Sequence, residues 1–216
     1  MKRPHLAVLP ILLLCTALAC NSAQLGQSWA PSGASLFKDA FDDPHSGWGE
    51  LNSAAGTAGY SAGTYHFYIK SPNVNLWAHP GLDLATVDIE VDATAAAGSP
   101  PANRLGLVCR LKDDANFYYF FISTDGYYGI GKVRNGTWSL LGNPAMQQSA
   151  AIQPGNLVNH LRADCIGSLL ILRVNGQLVG SARDTDFTSG DVGLLAGAFD
   201  QPGVDVSFDN FSVIKP

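Results

Sequence analysis

The chain is poor in charged residues, and basic residues are the scarcer kind. Only 14% of its 216 residues are charged, and 13 Lys and Arg stand against 18 Asp and Glu, for a formal net charge of −5. An acidic chain without a basic stripe argues against nucleic acid as a partner. The hydrophobic content of 46% argues against disorder and favours a packed globule.

Familiar catalytic and metal-binding spacings are also missing. The chain has no GxSxG, and no Ser or Cys has an obvious His beside it, which argues against a nucleophilic hydrolase. It has no CxxC or HxxxH, and His66, His79 and His160 are isolated, so a zinc site is poorly supported. Asn135-Gly136-Thr137 fits an N-glycosylation sequon, but we interpret it as a hairpin turn.

The N-terminus has the pattern of an export signal. Lys2 and Arg3 precede a mostly apolar run, and Ala17-Leu18-Ala19 fits a small-x-small cleavage site. The run is short and contains Pro10, so it is not a convincing membrane span. Cys20 follows at once, and residues 16–20 resemble a bacterial lipobox, in which that Cys is lipidated.

This pattern predicts three segments. They are a lipoprotein-type signal peptide at 1–19, a lipidated Cys with a flexible Ser-, Gly- and Pro-containing tether at 20–35, and one domain at 36–216. We therefore expect a membrane-anchored lipoprotein outside the cytoplasm, at the cell surface or in the periplasm. Plain secretion remains the alternative.

Three consecutive antiparallel strands are predicted at the centre of the chain. They run from Leu105 to Leu111, Phe117 to Ser123 and Tyr127 to Arg134. Asp125-Gly126 and Asn135-Gly136 supply the positive φ that tight hairpins need. The second strand is apolar or aromatic on both faces, which predicts that another sheet or a ligand covers each face.

The remaining pattern predicts an all-β domain. About a dozen short strands with regular turn signals, and no convincing helix, are typical of a sandwich or a barrel. Cys109 and Cys165 lie on the apolar sides of their strands, so an exported domain is expected to join them in a disulfide. Separate buried thiols are the alternative.

Four segments resemble a known fold family. LFKDAFDDPHSGW, NFYYFFISTDGYYGIGKVRNGTW, LLILRVNGQLVG and VGLLAGAFDQPGVDVSFDNFSV are similar to a bacterial exported concanavalin A-like (laminin G-like) jelly-roll domain. The same run resembles the 3-keto-disaccharide hydrolase-like group, over Leu36 to Ile214. The resemblance implies a sandwich of two antiparallel sheets, one concave, with ligands on the concave face or at the rim loops. The fold hosts lectins, carbohydrate-binding modules, glycosidases and adhesion modules, so it does not specify an activity.

Asp88, Glu90 and Asp92 are the catalytic candidates if the protein is a hydrolase. Alternation places them on one strand face, where neighbours two residues apart lie about 6.6 Å from each other along the strand. Glycosidases hold their two catalytic carboxylates about 5–10 Å apart. The laminarinase type of this fold carries Glu-x-Asp-x-x-Glu, whereas this chain has no second Glu. That departure argues against the laminarinase mechanism, and the alternative is a solvated acidic face.

An aromatic and basic set is predicted to bind ligand on the open face. Its members are Arg110, Tyr118, Tyr128, Trp138, His160 and Arg162. Sugars stack on aromatic rings while planar polar side chains bind their hydroxyls. The facing follows from alternation, which one β-bulge would invert. The alternative is that these rings belong to the core.

An acidic loop near the start of the domain offers a calcium site as one interpretation. Asp42 and Asp43 could meet Asp209 where the terminal strands neighbour each other, since Ca²⁺ takes carboxylate and carbonyl oxygens. The alternative is turn chemistry, which needs no metal. No other cofactor is expected.

The leading hypothesis is a non-catalytic carbohydrate-binding module on a bacterial surface lipoprotein, with glycan bound on the concave sheet face. A glycoside hydrolase of the 3-keto-disaccharide hydrolase-like type is the second hypothesis. An envelope structural or protein-interaction domain is the third. The expected partners are a glycan or oligosaccharide and, through the N-terminal lipid only, the membrane.

Overall fold

Sixteen antiparallel strands make up the regular structure of the computed structural model, which describes residues 31–216 and contains no helix in that range. The predicted signal peptide and the lipidation site Cys20 lie outside the described residues. The folded unit begins slightly before the predicted boundary. Gly33 and Ala34 already exchange backbone hydrogen bonds with Lys215, and the first strand starts at Ser35.

The strands form two sheets. The nine-stranded sheet contains β1 (Ser35–Asp39), β2 (Leu51–Asn52), β3 (Gly56–Ser61), β4 (Thr64–Ile69), β6 (Val87–Ala95), β12 (Asn159–Ile166), β13 (Leu169–Val174), β14 (Gln177–Arg183) and β16 (Val204–Ile214). The seven-stranded sheet contains β5 (Asn75–Ala78), β7 (Asn103–Asp113), β8 (Asn116–Ile122), β9 (Tyr127–Arg134), β10 (Thr137–Leu140), β11 (Gln147–Gln148) and β15 (Asp191–Ala198). All their pairings are antiparallel, which confirms the predicted sandwich.

The strand order within each sheet determines which strands lie side by side. The nine-stranded sheet runs β14-β13-β12-β6-β16-β4-β3-β2, with β1 paired to β16. The seven-stranded sheet runs β10-β9-β8-β7-β15-β5, with β11 paired to β9. The predicted central strands are therefore β7, β8 and β9, and Asn135 and Gly136 turn the chain into β10 with φ of 51° and 78°.

The main core lies between the two sheets. Strand β6 contributes Val87, Ile89 and Val91 from one sheet, and β8 contributes Tyr118, Phe120 and Ile122 from the other. Cys109 of β7 and Cys165 of β12 form a disulfide that joins the two sheets, as predicted. Such a bond is typical of proteins from oxidising compartments.

A second apolar layer covers the outer face of the seven-stranded sheet. Its buried members are Val108, Leu111, Phe117, Tyr119, Phe121, Val133 and Leu195, with Trp77, Trp138, Leu140, Met146 and Phe199 packed against them half-buried. Strand β8 feeds both layers because successive side chains point to opposite faces. Both apolar faces of β8 are therefore covered, one by the other sheet and the second by two tryptophans.

Candidate functional site

Two tryptophans and the aromatic residues beneath them form the most distinctive surface of the domain. We call the outer side of the seven-stranded sheet the aromatic face, defined by Trp77, Phe117, Tyr119, Phe121, Trp138 and Phe199. The Trp138 ring lies 4.8 Å from Tyr119 and 5.6 Å from Phe117, centroid to centroid. Trp77 lies 5.3 Å from Phe117, so a continuous ring cluster supports both indoles.

Glycines make room for this cluster. A Cβ added at Gly129 would lie 2.5 Å from a ring carbon of Phe121, and one added at Gly131 would overlap the Tyr119 ring. The two rings therefore lie directly over bare backbone of β9. The Tyr119 hydroxyl donates a hydrogen bond to the Ser139 carbonyl at 3.1 Å, which anchors it to β10.

A cavity of about 490 Å³ opens on this face. Asn73, Val74, Asn75, Trp77, Arg104 and Trp138 line it. Two indoles, two amides and one guanidinium are the combination that sugar recognition uses, since rings stack on C–H faces while planar polar groups bind hydroxyls.

Arg104 is held in the cavity by aromatic rings and an amide. Its guanidinium carbon lies 3.6 Å from the Phe199 centroid and 5.5 Å from that of Phe121. Its Nη1 donates to Asn75 Oδ1 at 2.9 Å and to the Ala198 carbonyl at 3.4 Å. Burial lowers the pKa of Arg104 to about 10, which leaves it charged at neutral pH.

A second cavity, of about 700 Å³, adjoins the first at Trp77 and Asn75, which line both. Trp77 Nε1 donates to Asp114 Oδ1 at 3.0 Å, which fixes the indole between the two spaces. His79 also lines the second cavity, and its Nδ1 pairs with Asp191 Oδ2 at 2.6 Å. The hydrogen bond to this buried carboxylate raises the pKa of His79.

The predicted catalytic carboxylates lie on the outer face of the other sheet. Asp88, Glu90 and Asp92 alternate with core residues of β6, as predicted, and stand opposite β12. Arg162 Nη2 binds Asp88 at 2.5 Å, and Arg162 Nη1 binds Glu90 at 3.1 Å. His160 Nδ1 lies 2.8 Å from an oxygen of Asp92. All three carboxylates are therefore engaged by basic side chains.

Asp88 is the unusual member of this set. It is 5% exposed, and its Oδ1 is the only buried polar side-chain atom in the described residues without a hydrogen-bond partner. Burial, and then the neighbouring charge of Asp164, raise the pKa of Asp88 to about 6. A carboxyl with such a pKa has the acidity of a general acid. However, the aromatic face, whose rings could stack on a sugar, belongs to the opposite sheet.

The six predicted ligand-binding residues do not share one face, so that part of the prediction was wrong. His160 and Arg162 lie with the carboxylates on the nine-stranded sheet, whereas Trp138 lies on the aromatic face. Tyr118 is fully buried between the sheets, where its hydroxyl donates to Asp184. Tyr128 is half-buried and packs against the inter-sheet core, in contact with Gly180.

Arg110 was misplaced because a β-bulge inverts the alternation. The register of β7 against β8 shifts after Cys109, and Arg110 has a φ of 52°. Its side chain turns inward and is only 2% exposed. The guanidinium donates to four carbonyls, those of Ala85, Gly167, Phe187 and Cys165. Arg110 is a structural residue that crosslinks loops to the core.

Two of the three predicted calcium ligands, Asp43 in the acidic loop and Asp209 on β16, make local hydrogen bonds. Asp43 accepts from the His45 amide, and Asp209 accepts from the Asn210 amide. Asp209 pairs in register with Asp92 of β6. Within residues 31–216 the structure contains no group of three or more His, Cys, Asp or Glu side chains arranged to hold a metal ion.

Sequence reasoning missed most of the cavity residues. β15 lies between β5, which carries Asn75 and Trp77, and β7, which carries Arg104. This connecting strand is distant in sequence from all three residues. The tryptophan of β5 was the one local signal. Among residues 31–216 there is no helix with the length and apolar character to span a membrane.

No family model and no curated protein matches this sequence. Solved structures do match, at low identity. Carbohydrate binding module CBM66 from Bacillus subtilis is 20% identical, with a TM-score of 0.63 over 79% of this chain and 96% of that one. A Bacillus subtilis protein with a galectin-like fold is 11% identical, with a TM-score of 0.63 over 86% and 97%. Bacillus licheniformis beta-glucanase is 12% identical, with a TM-score of 0.58 over 86% and 100%.

At these identities the matches establish the fold and nothing finer. Together with the two antiparallel sheets, they show that this chain has a concanavalin A-like jelly-roll fold.

Proposed function

We propose that the protein is a glycan-binding module that binds carbohydrate on the aromatic face. The observation that carries this proposal is the cavity in which Trp77 and Trp138 flank Arg104 and Asn75. Both indoles are half-buried, and rings beneath them hold them in place, so stacking a sugar would cost little side-chain entropy. The fold neighbours include a carbohydrate-binding module and a beta-glucanase, which supports a carbohydrate-related role.

The hydrolase alternative finds less support in the site geometry. The aromatic face and the carboxylates Asp88, Glu90 and Asp92 lie on opposite outer faces of the sandwich. A glycosidase needs both carboxylates at the scissile bond of a bound sugar. The salt bridges of Arg162 to Asp88 and Glu90 further occupy the groups that hydrolysis would require.

We also propose that the domain is displayed outside the cytoplasm on a lipid anchor at Cys20. The lipobox-like residues 16–20 and the disulfide support this location. Radiolabelled palmitate incorporation that Cys20→Ser abolishes would support the anchor. A protein that is exported, soluble and unlabelled would replace it with plain secretion.

A glycan array tests the binding function. Wild type, Trp138→Ala and the control Tyr68→Ala should be compared, because Tyr68 is an exposed aromatic residue on the nine-stranded sheet. We expect wild type and Tyr68→Ala to bind the same glycans, and Trp138→Ala to lose at least tenfold in affinity. Equal binding by all three would move the site away from the aromatic face. A folded wild type that binds no glycan would contradict the function and favour an envelope interaction module.

A reducing-end assay on any bound oligosaccharide tests the alternative. We expect no release of reducing sugar that depends on this protein. Release that Glu90→Gln abolishes would establish hydrolysis at the nine-stranded sheet.

A further inference from the structure

Arg104 has more hydrogen-bonding capacity than the protein uses. Among the described residues, only its Nη1 has hydrogen-bond partners, the side chain of Asn75 and the Ala198 carbonyl. Within residues 31–216, Asp88 Oδ1 is the only buried polar side-chain atom that lacks a partner. The Nε and Nη2 groups of Arg104 are therefore not fully buried, and Arg104 lines the cavity together with the two indoles.

Two other arginines, Arg110 and Arg162, differ from Arg104 because every nitrogen of their guanidinium groups has a hydrogen-bond partner. Arg110 uses its Nε, Nη1 and Nη2 on main-chain carbonyls. Arg162 uses its Nε, Nη1 and Nη2 on three carboxylates. Arg104 thus uses only part of its hydrogen-bonding capacity, although it is half-buried and its guanidinium packs against the rings of Phe199 and Phe121.

The charge of Arg104 is also uncompensated. Among the described residues, no carboxylate oxygen lies within 4.0 Å of its guanidinium. Its neighbours are instead the rings of Phe199 and Phe121. A guanidinium stacked on a ring keeps its edge free, and that edge presents a planar fork which matches a carboxylate bidentately.

We propose that Arg104 binds the carboxylate of an acidic sugar whose ring stacks on Trp77 or Trp138, so that the module prefers carboxylated glycans to neutral ones. This inference rests on the proposed glycan-binding function. Hexuronic and sialic acids share the required chemistry, a carboxylate on a pyranose ring with apolar C–H groups. A carboxylate at Arg104 would supply the counter-charge that the described residues do not.

Recognition of this kind would act at short range. The formal net charge of −5 provides no long-range attraction to an anionic glycan. The preference for acidic sugars therefore depends on the single contact at Arg104, and removing its fork should remove the preference.

Calorimetry with matched ligands tests the proposal on the purified protein. Trigalacturonic acid is compared with its carboxyl-reduced form, and 3′-sialyllactose is compared with lactose. We expect at least one acidic member to bind tenfold or more tightly than its neutral partner. This comparison needs no variant, and it distinguishes an internal uronate from a terminal sialic acid.

Three variants locate the effect. Arg104→Gln should abolish the preference, so that the acidic and neutral partners bind with equal affinity, and Arg104→Lys, which keeps the charge without the fork, should retain part of the preference. Arg183→Gln removes the same charge from an exposed position on β14 and should change nothing. Circular dichroism checks that each variant is folded.

Equal binding of acidic and neutral partners by wild type would overturn the inference and leave the proposed function standing. So would a loss on Arg104→Gln that is the same for both partners, or binding of a sulfated oligosaccharide when neither carboxylated one binds. Absence of binding to every glycan, acidic or neutral, would instead contradict the glycan-binding function itself.

Discussion

The indole rings of Trp77 and Trp138 lie 6.1 Å apart, centroid to centroid, although β5 and β10 are the two ends of a path of six strands. On a flat sheet, five strand spacings would separate these strands by about 24 Å. The seven-stranded sheet must therefore curve around the aromatic face, and both long side chains must lean inward. The pairing of the two indoles on the aromatic face is consequently a product of sheet curvature.

Gly131→Ala should damage this platform. A methyl group at Gly131 would overlap the Tyr119 ring, on which Trp138 packs. Overpacking of this kind costs about 1–3 kcal/mol, so we expect a lower melting temperature by several degrees together with weaker glycan binding. Gly49→Ala is the control, because its added Cβ would have no heavy atom within 4 Å. Equal melting temperatures for the two variants would contradict the view that Gly131 leaves the space that the Tyr119 ring needs over β9.

Replacing Arg110 should affect stability and spare binding. Arg110→Met leaves the carbonyls of Ala85, Gly167, Phe187 and Cys165 without their buried donor. Unpaired buried groups cost about 1–3 kcal/mol each, so we expect a loss of at least about 3 kcal/mol in the free energy of unfolding, measured with urea. Glycan affinity of the folded fraction should stay within twofold of wild type. A selective loss of affinity at unchanged stability would restore Arg110 to the binding site.

Removing the disulfide should destabilise the domain without changing its ligand. The bond closes a segment with a sequence separation of 56 residues, which corresponds to about 3–4 kcal/mol in the loop-entropy model. The double variant Cys109→Ala, Cys165→Ala should therefore melt about 10 °C lower, in the range expected for a domain of this size. Wild type measured with reductant is the matched control, and it should approach the variant. A change of less than about 2 °C would mean that the two sheets do not need the crosslink.

Asp88→Asn should remove a pH-dependent penalty. The folded protein keeps the Asp88 proton up to a pKa of about 6, whereas the ordinary value is 3.8. A group with a raised pKa stabilises the fold fully below its unfolded pKa and loses that contribution as pH rises through the folded pKa. Relative to wild type, the variant should therefore gain stability between pH 4 and pH 7, on the order of 2 kcal/mol. Urea unfolding at several pH values measures this difference, and a constant difference would contradict the proton assignment.

Local sequence patterns predicted the strands, the hairpins and the disulfide. Alternating apolar residues and Asn-Gly turns act within a few residues of each other, so they can be read before any tertiary contact is known. The double apolar loading of β8 correctly indicated that both of its faces are covered. The same alternation failed at Arg110, since a bulge adds one residue to a strand without leaving a signal in composition.

The sequence by itself determined an all-β, disulfide-containing sandwich and the alternation of faces along its regular strands, because these depend on short-range periodicity. It did not determine which of the two faces points outward, as Tyr118 shows. Only the tertiary structure decided which residues share a surface. It separated Asp88 and Glu90 from Trp138, and it brought Trp77 and Arg104 beside that tryptophan. The physical reason is that site composition depends on strand order and on sheet curvature, which arise from pairings between distant segments.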